Sequence, residues 1–232
     1  MRVLLLAAGV GSRLRPLTDT LPKCLAPIHG RPLLDYWLDS LASGPSDRVL
    51  INTHYLADQV AHHIDRSTWR SAVDVVFEPE LLGTGGTLAA NRAWLGDAPF
   101  VVAHADNLTD VDLRALLAAH AARPDGCAIT MLAFRTDDPR SCGILELDGR
   151  GVVTAFHEKV ADPPGDLANA AVYVMEPEVA DFAVSLGKPV VDLSTEIIPQ
   201  FLGRIFAVEH RGYHRDIGNM ESLRRAQEEF KP

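Results

Sequence analysis

The stretch that most constrains this 232-residue chain is an apolar run that breaks into glycines and arginines. It reads Leu4-Leu5-Leu6-Ala7-Ala8-Gly9-Val10-Gly11-Ser12-Arg13-Leu14-Arg15-Pro16-Leu17-Thr18 and continues to Pro22-Lys23-Cys24-Leu25-Ala26-Pro27. The first part has the length of a buried strand, and the second the freedom and charge of an anion-binding loop. Gly9 and Gly11 lack a Cβ, so the backbone can turn sharply and bring N–H groups close to oxyanions. Arg13 adds a planar fork that matches phosphate. Lys23 adds a point charge where the Pro16–Pro22 loop returns toward the strand end. At ~4 Å and an effective dielectric of ~20 each charge pair is worth roughly 4 kcal/mol before desolvation, so either cation matters to a polyanionic ligand. A dinucleotide-binding turn would need a third glycine where Arg13-Leu14 stands, and the Gly-Lys-Ser/Thr of a P-loop is missing.

The run from Leu6 to Thr18, with Pro22-Lys23-Cys24-Leu25-Ala26-Pro27-Ile28, closely resembles the N-terminal signature of the sugar-1-phosphate nucleotidyltransferases. The likeness continues in patches to Asp216-Ile217-Gly218. It implies a reaction in which the phosphate of a sugar 1-phosphate attacks the α-phosphorus of a nucleoside triphosphate and releases pyrophosphate. The resemblance assigns the nucleotide phosphates to the Gly9–Arg13 backbone, with Leu6, Ala7, Ala8, Gly11 and Ser12 counted in the nucleotide site. It gives Arg13 the catalytic cation and Lys23 a phosphate contact.

Composition sets outer limits. With 47% apolar residues the chain can bury one sizeable core, and its length points to a single domain, with a nucleotide half at 1–125 and a sugar half at 126–232. A net charge of -9 disfavours a nucleic-acid partner, yet a local cation cluster can still hold small anions. Cys24, Cys127 and Cys142 form neither a Cys-x-x-Cys pair nor an even set, which fits a reduced cytoplasm rather than a disulfide framework or zinc site. The Val3–Ala8 run is shorter than a signal-peptide core and reads as a strand, and no segment approaches the ~20 apolar residues of a membrane span.

Along the chain, Leu33, Leu34, Trp37, Leu38 and Leu41 follow Pro32 at helical spacing, and Gly44-Pro45 stops them. Arg48–Asn52 reads as a strand, Asp58–Asp65 as a helix and Val73–Phe77 as a strand. This alternation predicts an α/β fold: a parallel sheet with helices on both faces and its ligands outside the carboxyl ends of the strands. The resemblance implies the same class, a Rossmann-like, mixed, mainly parallel sheet of the nucleotide-diphospho-sugar transferase type. His62 and His63 diverge by about 100° around their helix and read as a solvated face.

Glu78-Pro79-Glu80-Leu81-Leu82-Gly83-Thr84-Gly85-Gly86-Thr87 forms a second glycine-rich turn, opening a helix that reaches Trp94-Leu95. Read alone it is either a flexible turn or a ligand approach with unpaired helix N–H groups. It resembles the family's nucleotide-recognition loop, which would place Glu78, Gly83 and Thr84 near the base and ribose. Phe100–His104 is an apolar strand that ends in Ala105-Asp106. A carboxylate at such an end is well placed to hold a divalent cation. The family has Asn-Gly-Asp or Gly-Asp here, so His104-Ala105 departs from it, and His104, which points the same way as Asp106, reads as a packed or solvent-hydrogen-bonded histidine before it reads as a ligand. Asp110 and Asp112 read as a helix cap before Leu113.

From Ala128 onward strands dominate: Ala128–Phe134, Gly143–Leu147, Val152–His157 and Ala170–Met175 predict an antiparallel portion. Here Cys142-Gly143-Ile144, Phe156-His157-Glu158-Lys159 and Asn169-Ala170-Ala171-Val172-Tyr173 resemble the family's sugar-binding elements. Carried over, Gly143, Glu158 and Asn169 meet the sugar and Lys159 its phosphate. Ala171 stands where glycine is frequent. Without the family, Glu158-Lys159 is a solvated pair. Asp192 or Ser194 caps a helix through Phe201, Ile205–Glu209 is an edge strand, and Glu221–Phe230 is the last helix. Asp216 resembles the second metal aspartate of the family, with His214 in place of its usual tryptophan. Asp106 and Asp216 would then form the carboxylate pair for Mg²⁺.

The resemblance is strongest to short-form guanylyltransferases, without the β-helix domain of some relatives, that act on mannose 1-phosphate or a manno-heptose 1-phosphate. This implies GTP and a sugar 1-phosphate as substrates and no membrane partner, and leaves homo-oligomerisation to a solution measurement. Uridylyl and thymidylyl relatives share nearly every motif. A non-catalytic nucleotide-sugar-binding homologue is the alternative that the departures at His104-Ala105 and His214 leave open. A phosphocholine-type substrate would call for an aromatic cage, and only 6% of the residues are aromatic, with no cluster in sequence.

Overall fold

The computed structural model describes residues 1–44 and 46–231, so Pro45 of the expected Gly44-Pro45 helix stop lies outside the described residues. The chain forms two compact units, each built from separate segments. The first comprises Met1–Leu81, Ala103–Val111 and the segment from Gly212 onward; the second comprises Leu82–Val102 and Asp112–Arg211. These units do not follow the expected division at residue 125. The C-terminal segment belongs to the first unit because His214–Asp216 pairs antiparallel with Asn107–Thr109. In addition, Leu223, Ala226 and Phe230 join Leu14, Ile28, Leu33, Leu108 and Ile217 in one buried cluster.

In the first unit the strands Arg2–Leu6, Arg48–Thr53 and Val73–Phe77 run parallel, with Leu6 opposite Asn52 and Asn52 opposite Val76. Val3 to Leu6 are all buried, as expected for a parallel strand covered on both faces. The helix Leu33–Ser43 buries the stripe read from its spacing, and Ala57–Asp65 forms the second helix. Residues 7–15, Asn52 and Glu78 all leave or end strands on the same carboxyl rim, where ligands of open α/β sheets sit. The last helix, Met220–Glu229, starts at a capping box in which the Asn219 side chain accepts from Ser222 N at 2.8 Å and Ser222 Oγ accepts from Asn219 N at 3.1 Å.

In the second unit, Leu167–Met175 pairs antiparallel with Ile129–Arg135, and Gly143–Leu147 pairs antiparallel with Val153–Glu158. Ile205–His210 pairs parallel with Ile129–Arg135, so this portion is mixed rather than purely antiparallel. The expected single helix from Gly83 to Leu95 is two, Gly83–Ala90 and Arg92–Leu95, and the expected helix after Asp192 is a π turn followed by a 3-10 turn. Helix Pro177–Ser185, with Pro177 at its start, was not anticipated. Asp112 does cap its helix, its carboxylate accepting from Arg114 N at 2.9 Å and Ala115 N at 3.3 Å. Among the described residues no helix is long and apolar enough to cross a membrane.

Candidate active site

The glycine-arginine loop folds back on Lys23. Gly11 adopts a left-handed φ of 67°, and a Cβ there would lie 3.0 Å from Thr18 Cγ2 and 3.2 Å from Lys23 Cβ, which is why glycine is needed. Thr18 Oγ1 and Leu14 N both donate to Gly11 O, at 2.8 and 2.9 Å. Leu14 is buried as an anchor, while Ser12 and Arg13 stay exposed. A Cβ on Gly9 would meet nothing within 4 Å.

Two main-chain groups at the end of the first strand are bonded within the protein. Ala105 N donates to Leu6 O at 3.0 Å, and Ala7 N donates to Asn52 Oδ1 at 2.7 Å. Asn52 in turn donates through Nδ2 to Glu78 Oε1 at 2.9 Å, and both side chains belong to residues under 5% exposed. The sequence reading placed Glu78 near the base and did not single out Asn52. A polar residue closing the apolar strand Arg48-Val49-Leu50-Ile51-Asn52 was the signal available.

Two distant aspartates meet in the first unit. Asp216 lies opposite Asn107 in the short antiparallel pair, and Ile217 N donates to Asp106 O at 2.9 Å. Trp37 Nε1 donates to Asn107 O at 2.7 Å and holds the same segment. Lys23 Nζ then reaches both carboxylates, Asp106 Oδ2 at 2.5 Å and Asp216 Oδ1 at 3.3 Å. Gly218 makes room: a Cβ there would lie 2.6 Å from Asp216 Oδ2 and 3.4 Å from a terminal nitrogen of Arg13. Arg13, Lys23, Asp106 and Asp216 therefore share one locality, although they span more than two hundred positions of the chain.

The charges are mutually adjusted. Burial alone would depress the Lys23 ammonium, but Asp106 and Asp216 outweigh it and hold its pKa above the ordinary value. Burial pushes Asp106 upward, but Lys23, and after it His104, hold this carboxyl below its ordinary range. Asp216 is pushed upward by desolvation and by the charge of Asp106. Asp106 Oδ1 is buried with no hydrogen-bond partner among the described residues. An unsatisfied buried oxygen beside a second carboxylate fits a hard divalent cation such as Mg²⁺, which takes one or two carboxylates together with phosphate oxygens. His104 Nε2 is likewise buried without such a partner. Even so, no group of three or more His, Cys, Asp or Glu among the described residues is arranged around a metal position.

In the second unit the Gly83–Gly86 turn serves packing. Gly83 has a φ of 73°, and a Cβ on Gly85 would overlap Val191 Cγ1 and Ile197 Cδ1 at 2.7 Å. Gly85 N and Gly86 N both donate to Val191 O, at 2.9 and 3.0 Å. Those two helix-start amides are thus taken by the protein's own backbone. Thr84 Oγ1 accepts from Leu193 N at 2.8 Å. The sugar-type residues sit on adjoining strands. Gly143 is paired with Glu158, and a Cβ on Gly143 would crowd Phe156 and come within 2.7 Å of Glu158 Oε2. Ala168 pairs with Ile144, so Asn169 and Gly143 come one residue on in either strand. Glu158 Oε1 lies 3.1 Å from Lys159 Nζ. Asn169 Nδ2 donates to Tyr173 Oη at 2.7 Å, and Asn169 Oδ1 accepts from Ala171 N at 2.9 Å. Ala171 has a φ of 52°, which explains why glycine is frequent in the resembling motif.

With this geometry in place, comparison with known proteins is decisive at the family level: the nucleotidyl transferase profile matches residues 2–231. This chain belongs to the nucleotidyl transferase family. A mannose-1-phosphate guanylyltransferase from Mycobacterium tuberculosis is 34% identical over 223 residues, covering 94% of this chain and 61% of that relative. A glucose-1-phosphate thymidylyltransferase from Streptomyces griseus is 32% identical over 188 residues, covering 80% of this chain and 52% of the relative. Among solved structures, HddC from Yersinia pseudotuberculosis complexed with GMP-PN superposes with a TM-score of 0.83 at 24% identity, covering 99% of both chains. That likeness establishes the nucleotidyl transferase fold, mixed and mainly parallel with flanking helices. The chain spans about 60% of the length of the first curated relatives it matches, 59% and 61%.

Proposed function

We propose that this nucleotidyl transferase moves a nucleotidyl group from a nucleoside triphosphate to a sugar 1-phosphate, giving a nucleotide sugar and pyrophosphate. The favoured pair is GTP with mannose 1-phosphate or another manno-configured sugar phosphate. The observation that carries this reading is the meeting of Lys23 with Asp106 and Asp216 beside Arg13, a cation-carboxylate locality of the kind that phosphate chemistry uses. The choice of base and sugar is supported by the guanylyltransferase relatives.

Such transfer asks for positioning and charge neutralisation more than for covalent chemistry. Arg13, exposed at the loop tip, stabilises the departing pyrophosphate through its fork, and Lys23 contributes a second cation to the phosphates. Leu6, Ala7, Ala8, Gly9, Gly11 and Ser12 shape the nucleotide site, with Glu78, Gly83 and Thr84 assigned to the base and ribose. Gly143, Glu158 and Asn169 select the sugar, and Lys159 orients its phosphate, which is already an anionic nucleophile. Asp106 and Asp216 would hold a divalent cation, Mg²⁺ by the chemistry of two carboxylates, which supplies charge neutralisation at the reacting phosphates.

The test is pyrophosphate release, measured with ATP, GTP, CTP, UTP and dTTP against mannose, glucose and heptose 1-phosphates. GTP with a manno-configured substrate should give the highest kcat/KM. Preference for dTTP or UTP with glucose 1-phosphate would move the chain to the thymidylyl or uridylyl branch. Binding without release would favour a regulator. In the active combination, Arg13→Ala or Asp106→Asn should each lower kcat by at least ~100-fold, the scale of one preorganised charge contact. Turnover near wild type in either variant refutes that assignment.

A further inference from the structure

We propose that Asn52 is a positioning residue for the nucleoside triphosphate, an inference that rests on the function proposed above. An amide side chain has two unlike ends, and Asn52 uses them in opposite directions. Oδ1 accepts from Ala7 N at 2.7 Å, at the end of the first strand, and Nδ2 donates to Glu78 Oε1 at 2.9 Å, just beyond the third. The register makes this bridge natural: Asn52 lies opposite Leu6 on one side and Val76 on the other. The main chain of Glu78 is held in turn, its N–H donating to Thr53 O at 2.8 Å while His54 Nδ1 lies 2.8 Å from its carbonyl oxygen.

Asn52 is 3% exposed and Glu78 4%, so water cannot replace these bonds at little cost. The bridge fixes the Ala7 peptide plane immediately before Ala8 and Gly9, the backbone assigned to the nucleotide. It also fixes the direction of the Glu78 carboxylate, the group assigned to the base and ribose. Aspartate could not take the place of Asn52, because it would keep the acceptor for Ala7 N–H but set a carboxylate against a carboxylate. Lys23, Asp106 and Asp216 are bonded to one another, so the loss should fall on binding and spare the chemical step.

The test compares wild type, Asn52→Asp and the double variant Asn52→Asp/Glu78→Gln by calorimetric titration with GTP and by steady-state pyrophosphate release. Asn52→Asp should raise Kd and KM for the triphosphate roughly 10- to 100-fold, the scale of a buried hydrogen bond to a charged group, while kcat changes by less than about threefold. In the double variant the amide moves to position 78 and donates to the carboxylate at position 52, which still accepts from Ala7. Its Kd should fall at least about threefold below that of Asn52→Asp, a recovery that restoring the hydrogen-bond bridge allows even though position 78 itself is altered. Thermal melting identifies any variant that fails to fold, and the double variant then carries the decision. Wild-type affinity in Asn52→Asp overturns the role, as does a folded double variant no better than the single one. No triphosphate binding by the wild-type chain overturns the proposed function and this role together, whereas wild-type binding with an unaffected Asn52→Asp overturns the role alone.

Discussion

Replacing Lys23 by methionine is the sharpest physical test of the charge cluster. Methionine keeps most of the stem that packs beside Gly11 but removes the ammonium that lies 2.5 Å from Asp106 and 3.3 Å from Asp216. Deleting one partner of a fully buried ion pair costs about 3–5 kcal/mol. Here the Lys23 side chain is 10% exposed but that of Asp216 is 56% exposed, so water screens part of the loss and about 2 kcal/mol is the better figure. For a chain of this length that corresponds to a melting temperature lower by about 4–8 °C. The measurement is differential scanning calorimetry in chelator and in excess Mg²⁺. The two uncompensated carboxylates should now bind Mg²⁺ more tightly, and a cation at 100 times its Kd adds about 2.7 kcal/mol, enough to restore the melting temperature. Wild type, whose ammonium already neutralises the pair, should gain less. A Lys23→Met protein that melts within about 1 °C of wild type in chelator, or an equal Mg²⁺ shift in both proteins, refutes this role of the ammonium.

Two further outcomes follow from local structure. Ala171→Gly relieves a left-handed φ of 52° and should stabilise the fold by about 0.5–1 kcal/mol, seen as a melting temperature higher by about 1–4 °C; a lower value refutes the strain assignment. In the second unit, burial and then Arg123 push the pKa of His120 below 6.5, against the opposing pull of Glu176, while its Nδ1 lies 2.8 Å from Thr130 Oγ1. The unfolded chain therefore takes up this proton first. Stability from this group is complete above pH 6.5 and falls below it by up to about 1.4 kcal/mol per pH unit until the lower folded value is reached. Melting curves between pH 7.5 and 5.5 should flatten in His120→Gln, and an unchanged slope refutes the contribution.

Sequence alone determined the parallel strands and most of the helices, because apolar runs of strand length and stripes at helical spacing state their own burial. Motif likeness and charge type also single out the Gly9–Arg13 turn, Lys23, Asp106 and Asp216. Sequence did not determine where hydrogen bonds end. The Gly83–Gly86 segment reads as either a flexible turn or a ligand approach, yet Gly85 N and Gly86 N serve Val191; Asn52 reads as the end of a strand, yet it ties Ala7 to Glu78. The division into units also escaped the sequence, since the return of Gly212 onward depends on a three-residue strand pair and a shared apolar cluster, neither of which has a local signature. Tertiary structure alone could bring a lysine near the start of the chain onto two carboxylates far apart in it. Coulomb attraction and hydrogen bonding act on distance through space, and separation along the chain carries no information about that distance until the chain is folded.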